Sequence, residues 1–115
     1  LGVTFFYMRK LLIPYWGLCF LLTHLPPSSA VSGAEGVDKI LHFSGYSILG
    51  FLLQINLKQK WNALLILLLY SVIDEFTQPY VGRDFEWLDI AADFLGSSLG
   101  VSLGPWLLSK ISPQK

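Results

Sequence analysis

At 115 residues the chain is long enough for one domain, and 53% of its residues are hydrophobic while only 14% are charged. Soluble domains carry about 25% charged residues, so this composition excludes an ordinary soluble protein and indicates a small membrane protein. Eight basic and eight acidic side chains give no net charge, which argues against nucleic acid as a partner. The single cysteine, Cys19, excludes an intrachain disulfide.

Four apolar segments follow one another along the chain. They run from about residue 11 to 25, from 40 to 57, from 61 to 80 and from 87 to 108. Each is close to the ~20 residues that a helix needs to cross ~30 Å of hydrocarbon. Continuous apolar runs of this length exclude the alternating strands of a membrane barrel. The sequence therefore predicts an all-α polytopic membrane protein, a bundle of four transmembrane helices that forms one domain over residues 8–110.

The first apolar segment has a second interpretation. Two basic residues precede it and a small-residue tract at 28–30 follows it, a pattern that is also typical of a cleaved signal peptide. We favour a permanent helix, because the charge distribution described next uses this segment as a crossing. Residues 1–7 precede the first methionine, Met8, and we assign them no function, since an alternative start or an incomplete chain would explain them.

Basic and acidic side chains are divided between the two sides of the predicted bundle. With four crossings, one side carries six basic residues and no acid: Arg9, Lys10, Lys58, Lys60, Lys110 and Lys115. The other side carries two basic residues and all eight acids: Lys39, Arg83, Glu35, Asp38, Asp74, Glu75, Asp84, Glu86, Asp89 and Asp93. The positive-inside rule counts Lys and Arg in short loops, and it predicts that both termini are cytoplasmic and that the acids face outward.

Polar residues recur at helical spacing near the outer ends of three predicted helices. Residues three or four apart share a helix face, and three such sets are present: Asp38, His42, Tyr46 and Gly50 on the second helix; Asp74, Glu75 and Gln78 on the third; Asp89, Asp93 and Ser97 on the fourth. We expect these faces to converge on an outward-open polar cup, with Tyr46 as its floor and Phe43, Phe76 and Trp87 as its walls. Further along the fourth helix, Gly96, Gly100 and Gly104 form a ridge that favours close helix packing and could also mediate an oligomer.

Some of these charges have an ordinary structural explanation. Asp38 and Asp89 suit the start of a helix, and Lys39 can extend to the lipid head groups. Asp74 and Glu75 have no such explanation, because the C-terminal half of a helix disfavours negative charge. We predict Arg83 as their partner, since its planar guanidinium can hold a carboxylate through two hydrogen bonds. A closed ion-pair network and a binding pocket both remain open at this point.

Four motifs occur in a recognisable order. They are the segment from Asp38 and Lys39 through His42 to Tyr46, then Asp74-Glu75-Phe76-Thr77-Gln78, then Gly82-Arg83, then Asp89 through Asp93 to Gly96. Together they resemble the VanZ-like family of small membrane proteins over residues 38–103. The resemblance implies a bacterial cytoplasmic-membrane protein from a family linked with teicoplanin resistance, without a defined molecular activity. The tract before Arg83 is shorter than in many members, and Asp93 stands where members usually have Asn.

Two functions of different classes follow. The first is a non-enzymatic cell-envelope binding module, in which the cup holds the head group of a lipid or of a lipid-linked cell-wall precursor, with no metal or cofactor. The second is an intramembrane hydrolase or transferase, in which His42 acts with Glu75 or Asp89 as a general base or as part of a divalent-metal site. A continuous ion pathway is disfavoured, because the inner halves of the predicted helices are almost entirely apolar.

Overall fold

The computed structural model describes residues 2–25 and 35–111, and these residues fold into helices without a strand. The helices are α1 (Gly2–Arg9), α2 (Leu12–Thr23), α3 (Glu35–Leu57), α4 (Lys60–Thr77) and α5 (Trp87–Ile111), with a 3-10 turn at Gln78–Val81. The predicted all-helical fold is confirmed, and α2 to α5 correspond to the four apolar segments. The small-residue tract at 28–30 and Lys115 lie outside the described residues.

Two backbone positions in the left-handed region end the middle helices. Lys58 has φ 63° directly after α3, so the chain reverses within two residues and α4 begins at Lys60. Gly82 has φ 85° after the 3-10 turn, and its N–H donates to the carbonyl of Pro79. Glycine adopts this conformation without a steric penalty. The second turn determines where Arg83 lies, which matters for the site.

Helices α2 and α3 run antiparallel. The hydroxyl of Tyr15 in α2 donates to the carbonyl of Gly45 in α3 at 2.9 Å, and the side-chain amide of Asn56 at the far end of α3 donates to the carbonyl of Arg9 at 3.2 Å. Helix α4 also runs antiparallel to α3 after the tight turn. The C-terminal ends of α2 and α4 therefore lie at the same level as the N-terminal end of α3.

Helices α3 and α5 run parallel and are joined by a glycine seam. A Cβ atom at Gly96 or Gly100 would lie well inside 3.0 Å of the backbone carbonyl of Phe43 or Ser47, closer than real Cβ atoms approach. From the opposite side, a Cβ at Gly50 would lie 2.7 Å from the carbonyl oxygen of Ser97. The glycine ridge therefore serves packing within the chain, and an oligomer contact through it would have to displace α3.

The apolar core lies on the side of the bundle that is remote from the acidic residues. It contains Leu49 and Leu53 of α3, Leu64 and Leu67 of α4, and Val101 of α5. Large apolar side chains also cover the outside of the helices, and several are more than half exposed: Ile13, Leu65, Leu69, Leu88 and Leu95. Soluble monomers rarely expose so much apolar surface. The outer surface is suited to contact with lipid.

Two helices of the described residues are long and apolar enough to cross a membrane. They are Val37–Leu57 and Lys60–Val81, and α2 is a shorter apolar helix of 12 residues. Helix α5 contains Asp89, Asp93 and Lys110 together with many glycines and serines, so its composition alone does not mark it as a span. The structure thus supports a membrane protein with two candidate spans.

Candidate functional site

The imidazole of His42 is at the centre of the polar residues and is 5% exposed. Its Nδ1 lies 2.7 Å from Oδ1 of Asp93, and Ser71 Oγ donates to Oδ2 of the same carboxylate at 2.7 Å. Asp93 on α5 therefore connects α3 to α4. The close approach of α3 and α5 at the glycine seam brings His42 and Asp93 within hydrogen-bonding distance.

Three further carboxylates surround the same imidazole. Glu75 Oε2 lies 3.9 Å from Nδ1, while Asp89 Oδ2 and Asp38 Oδ1 lie 3.6 Å and 3.9 Å from Nε2. We call His42 and the carboxylates of Asp38, Glu75, Asp89 and Asp93 the His42 cluster. The polar faces of α3, α4 and α5 thus converge, as the sequence predicted. The interior of the expected cup is filled by these side chains instead of being open.

Two cations lie at the outer edge of the His42 cluster. Lys39 Nζ is 2.8 Å from Asp89 Oδ1 and 3.5 Å from Asp38 Oδ2, and it also pairs with Glu86. Arg83 Nη2 is 3.5 Å from Asp38 Oδ1. Lys39 is therefore part of an ion-pair group and does not simply extend to lipid head groups.

The predicted pairing of Arg83 with Asp74 and Glu75 is wrong. The left-handed turn at Gly82 directs the chain away from the end of α4, so the guanidinium faces the start of α3 and the end of α2. There it contacts Asp38, and Nη1 donates to the carbonyl of Leu25 at 3.4 Å.

Asp74 instead contacts Tyr46 of α3 and two residues at the end of α2, Thr23 and His24, that the sequence analysis did not identify. Thr23 Oγ1 donates to Asp74 Oδ1 at 2.7 Å, His24 Nδ1 lies 3.5 Å from the same oxygen, and the Tyr46 hydroxyl donates to Oδ2 at 3.2 Å. The signal that could have revealed this contact is the polar pair Thr23-His24 at the outer end of an otherwise apolar segment. Ser71, the partner of Asp93, carried no comparable signal.

Glu75 and Gln78 meet as their spacing predicts, and both are buried. Gln78 Nε2 donates to Glu75 Oε2 at 3.2 Å, and the backbone N–H of Glu86 reaches Oε1 at 3.4 Å. Both hydrogen bonds are long, so the Glu75 carboxylate is weakly satisfied. This carboxylate closes the α4 side of the His42 cluster.

The aromatic residues predicted as walls of the cup lie on the outside of the bundle. Trp87 is 70%, Phe76 55% and Phe43 37% exposed. The Phe85 ring packs against Phe76 and against Trp87 at centroid distances of 4.8 Å. These rings extend toward the surroundings, because the polar side chains already occupy the space between the helices.

A pocket of about 360 Å³ adjoins the His42 cluster on its α2 side. One end is lined by Thr23, Asp38, His42 and Arg83, and Tyr46 also lines it. The remaining walls are mainly apolar and come from α2 and α3: Tyr15, Leu18, Cys19, Leu22, Leu41 and Ile48. The polar residues thus form both a closed network between α3, α4 and α5 and one end of a pocket between α2 and α3.

A family model described as VanZ/LLP1 matches residues 3–108. The chain belongs to the VanZ/LLP1 family. The match extends beyond the motifs at residues 38–103, and it includes α2, α3, α4 and most of α5. The His42 cluster and the adjoining pocket therefore lie inside the VanZ/LLP1 domain. No curated protein and no solved structure matches this chain.

Proposed function

We propose that this VanZ/LLP1 protein is a cell-envelope binding module that holds a membrane amphiphile in the pocket between α2 and α3. The observation that carries the proposal is the division of the pocket into one polar end and a longer apolar part. A ligand with a charged head and a hydrocarbon chain matches this division. A small polar metabolite would make no apolar contact with most of the pocket walls. A pure hydrocarbon would bury the charged groups of the polar end without a partner.

The polar end suits an anionic head group that also carries hydroxyls or amines. Arg83 presents guanidinium N–H groups with a geometry that matches phosphate or carboxylate oxygens. Asp38 and Thr23 can accept hydrogen bonds from hydroxyl or amine groups of the same ligand. The head group of a phospholipid or of a lipid-linked cell-wall precursor has this combination. A link to teicoplanin resistance would follow if the pocket holds a precursor that this antibiotic recognises.

The membrane arrangement that we propose has four crossings, with both termini in the cytoplasm of a bacterial cell and the pocket's polar end at the outer surface. Two pairs of exposed aromatic residues support this arrangement. Trp61 lies at the start of α4 and Tyr80 in the 3-10 turn after it, while Trp87 lies at the start of α5 and Trp106 near its end. In each pair the residues are 19 positions apart, a helical rise of about 28 Å, which is close to the hydrocarbon thickness. Trp and Tyr are enriched at both interfaces of a membrane.

The test is retention of defined lipids by the purified protein, measured by native mass spectrometry with phosphatidylglycerol and a polyprenyl phosphate. We expect Arg83→Ala to lower the affinity at least tenfold, because the head group loses its cation. Leu18→Trp should abolish binding by filling the apolar part. Arg9→Ala and Leu65→Trp are matched controls away from the pocket and should bind as the wild type does. If Arg83→Ala and Leu18→Trp both bind these lipids as tightly as the wild type does, the pocket is not the lipid-binding site.

A second function, hydrolysis or transfer at the head group, is favoured by one observation. The imidazole of His42 lines the pocket, and its orientation is fixed by Asp93, not by Glu75 or Asp89 as the sequence suggested. An imidazole oriented by a carboxylate is a common general base. Turnover of a polyprenyl pyrophosphate that is lost in His42→Gln but retained in Arg9→Ala would support this function, and absence of turnover in the wild type would exclude it.

A further inference from the structure

Nε2 of His42 faces two carboxylate oxygens without a hydrogen bond. Because a carboxylate only accepts, the 2.7 Å contact with Asp93 places an imidazole hydrogen on Nδ1, and in neutral His42 the lone pair is then on Nε2. Within residues 37–107 no donor is bonded to Nε2, and its nearest charged neighbours are Asp89 Oδ2 at 3.6 Å and Asp38 Oδ1 at 3.9 Å. Nε2 of neutral His42 and the two carboxylate oxygens are thus three acceptor atoms close together, and His42 is only 5% exposed.

We propose that His42 Nε2, Asp89 Oδ2 and Asp38 Oδ1 bind a divalent metal ion. Each of the three residues offers a ligand atom within 4.8 Å of the other two, and Nε2 lies 3.6 Å from Asp89 Oδ2 and 3.9 Å from Asp38 Oδ1. Tetrahedral metal bonds of about 2.1 Å place neighbouring ligand atoms about 3.4 Å apart, so each separation from Nε2 would have to shorten by about 0.5 Å or less. Lys39 and Arg83 already pair with the outer side of these carboxylates, and the metal would add positive charge on the side that faces Nε2.

The groups behind these ligands are arranged as in known metal sites. A histidine ligand usually donates its other N–H to a carboxylate, and here Asp93, itself held by Ser71, accepts that hydrogen. Lys39 contacts Oδ1 of Asp89 and leaves Oδ2 facing His42. A second grouping, His42 with Glu75 and Asp93, is close enough to be considered. It would require Nδ1, which is already bonded to Asp93, so the Nε2 side is the better site.

The ligand set and the position of the site indicate the kind of metal and its accessibility. One imidazole nitrogen with two carboxylate oxygens suits Zn²⁺ or Mn²⁺ better than Ca²⁺ or Mg²⁺, which prefer oxygen ligands alone. Asp38 and His42 both line the pocket, so a further coordination position would face it. The metal departs from our expectation, from the sequence, of a pocket without metal. The metal would bind to side chains of the protein alone, so metal binding can be measured without the proposed amphiphile.

The test is a metal titration of chelator-treated, lipid-free protein in detergent, with Zn²⁺ followed by calorimetry and Mn²⁺ by electron paramagnetic resonance. We expect one ion per chain. Asp89→Asn and His42→Gln should weaken binding at least a hundredfold, and Asp93→Asn about tenfold, because a neutral amide makes His42 a less basic ligand than a carboxylate does. Asp84→Asn removes an exposed carboxylate outside the site and should bind like the wild type.

Asp38 is partly exposed, so metal binding by an Asp38 variant can be measured even if substitutions at the buried positions prevent folding. Asp38→Asn should fold, as judged by size-exclusion elution, and should bind Zn²⁺ at least tenfold more weakly. The competing arrangement is a doubly protonated His42 paired with Asp89. Absence of stoichiometric metal binding in the wild type, or unchanged binding in both Asp38→Asn and Asp89→Asn, would overturn the proposal. Nitrogen-15 spectra showing both ring nitrogens protonated in the presence of Zn²⁺ would also overturn it.

Discussion

Gly100→Ala introduces a single methyl group into the glycine seam between α3 and α5. That methyl group would lie against the backbone carbonyl of Ser47 and 2.7 Å from the backbone nitrogen of Phe51. Backbone atoms within a helix cannot rotate away as the end of a flexible side chain can. The two helices must therefore move apart, and the contact between them is lost over several residues.

The expected destabilisation follows from this geometry. Adding a methylene-sized group to a well-packed interior typically costs about 1–3 kcal/mol, and a contact with backbone on both sides belongs at the upper end. We expect Gly100→Ala to lower the free energy of unfolding by about 3 kcal/mol. Gly17→Ala is the matched control, because a Cβ there meets no atom within 4 Å. Gly45→Ala is a second control on α3, where the Cβ would have only an ordinary 3.8 Å contact with Tyr15.

The assay is unfolding of the purified protein in mixed micelles with increasing dodecyl sulfate, followed by tryptophan fluorescence. Wild type, Gly17→Ala and Gly45→Ala should unfold within about 1 kcal/mol of one another, since helix propensity favours Ala over Gly by that amount. Gly100→Ala should unfold at a clearly lower fraction of dodecyl sulfate. If Gly100→Ala falls within the range of the two controls, the close approach of α3 and α5 is not a feature of the molecule in solution.

Three further predictions concern the charged residues. Asp93→Asn should fold with a loss below about 1 kcal/mol because an amide still accepts from His42, whereas Asp93→Leu should cost about 3 kcal/mol in the same unfolding assay. Lys39→Met should cost about 2 kcal/mol, because the buried carboxylate of Asp89 loses its cation, and added salt should reduce that difference less than it would for a fully exposed pair. In a cysteine-free background, an impermeant maleimide added to intact cells should label Asp84→Cys and leave Lys58→Cys unlabelled; the opposite pattern would reverse the proposed orientation.

The helices and the shared polar faces could be predicted because both depend on local periodicity. An apolar run of this length predicts a helix. A spacing of four residues places Asp38 and His42 on one face of α3, and Asp89 and Asp93 on one face of α5. These relationships do not change with the way in which the helices pack. The convergence of the faces followed from the up-and-down order of four consecutive helices.

The partners of individual charges could not be predicted, because they depend on turns and on packing. Arg83 follows a 3-10 turn and a left-handed glycine, and the direction of such a turn is not contained in any periodic pattern. The partner of Asp74 depends on how α2 docks, and α2 has no polar stripe that would indicate a preferred face. The pocket arises from the same docking, so no pattern in the sequence indicated its position between α2 and α3.

The unequal attachment of the helices determines how a ligand can enter. Helices α3 and α5 meet backbone to backbone, whereas α2 has no fully buried residue. Helix α2 is held by hydrogen bonds of Tyr15, Thr23 and His24 and by the partly buried side chains of Leu12 and Trp16. Releasing these few contacts requires less free energy than separating a glycine-packed pair of helices. Sideways movement of α2 would open a lateral entrance facing the acyl chains of the bilayer. A lipid could then reach the His42 cluster without leaving the membrane, and the cluster itself would keep its geometry.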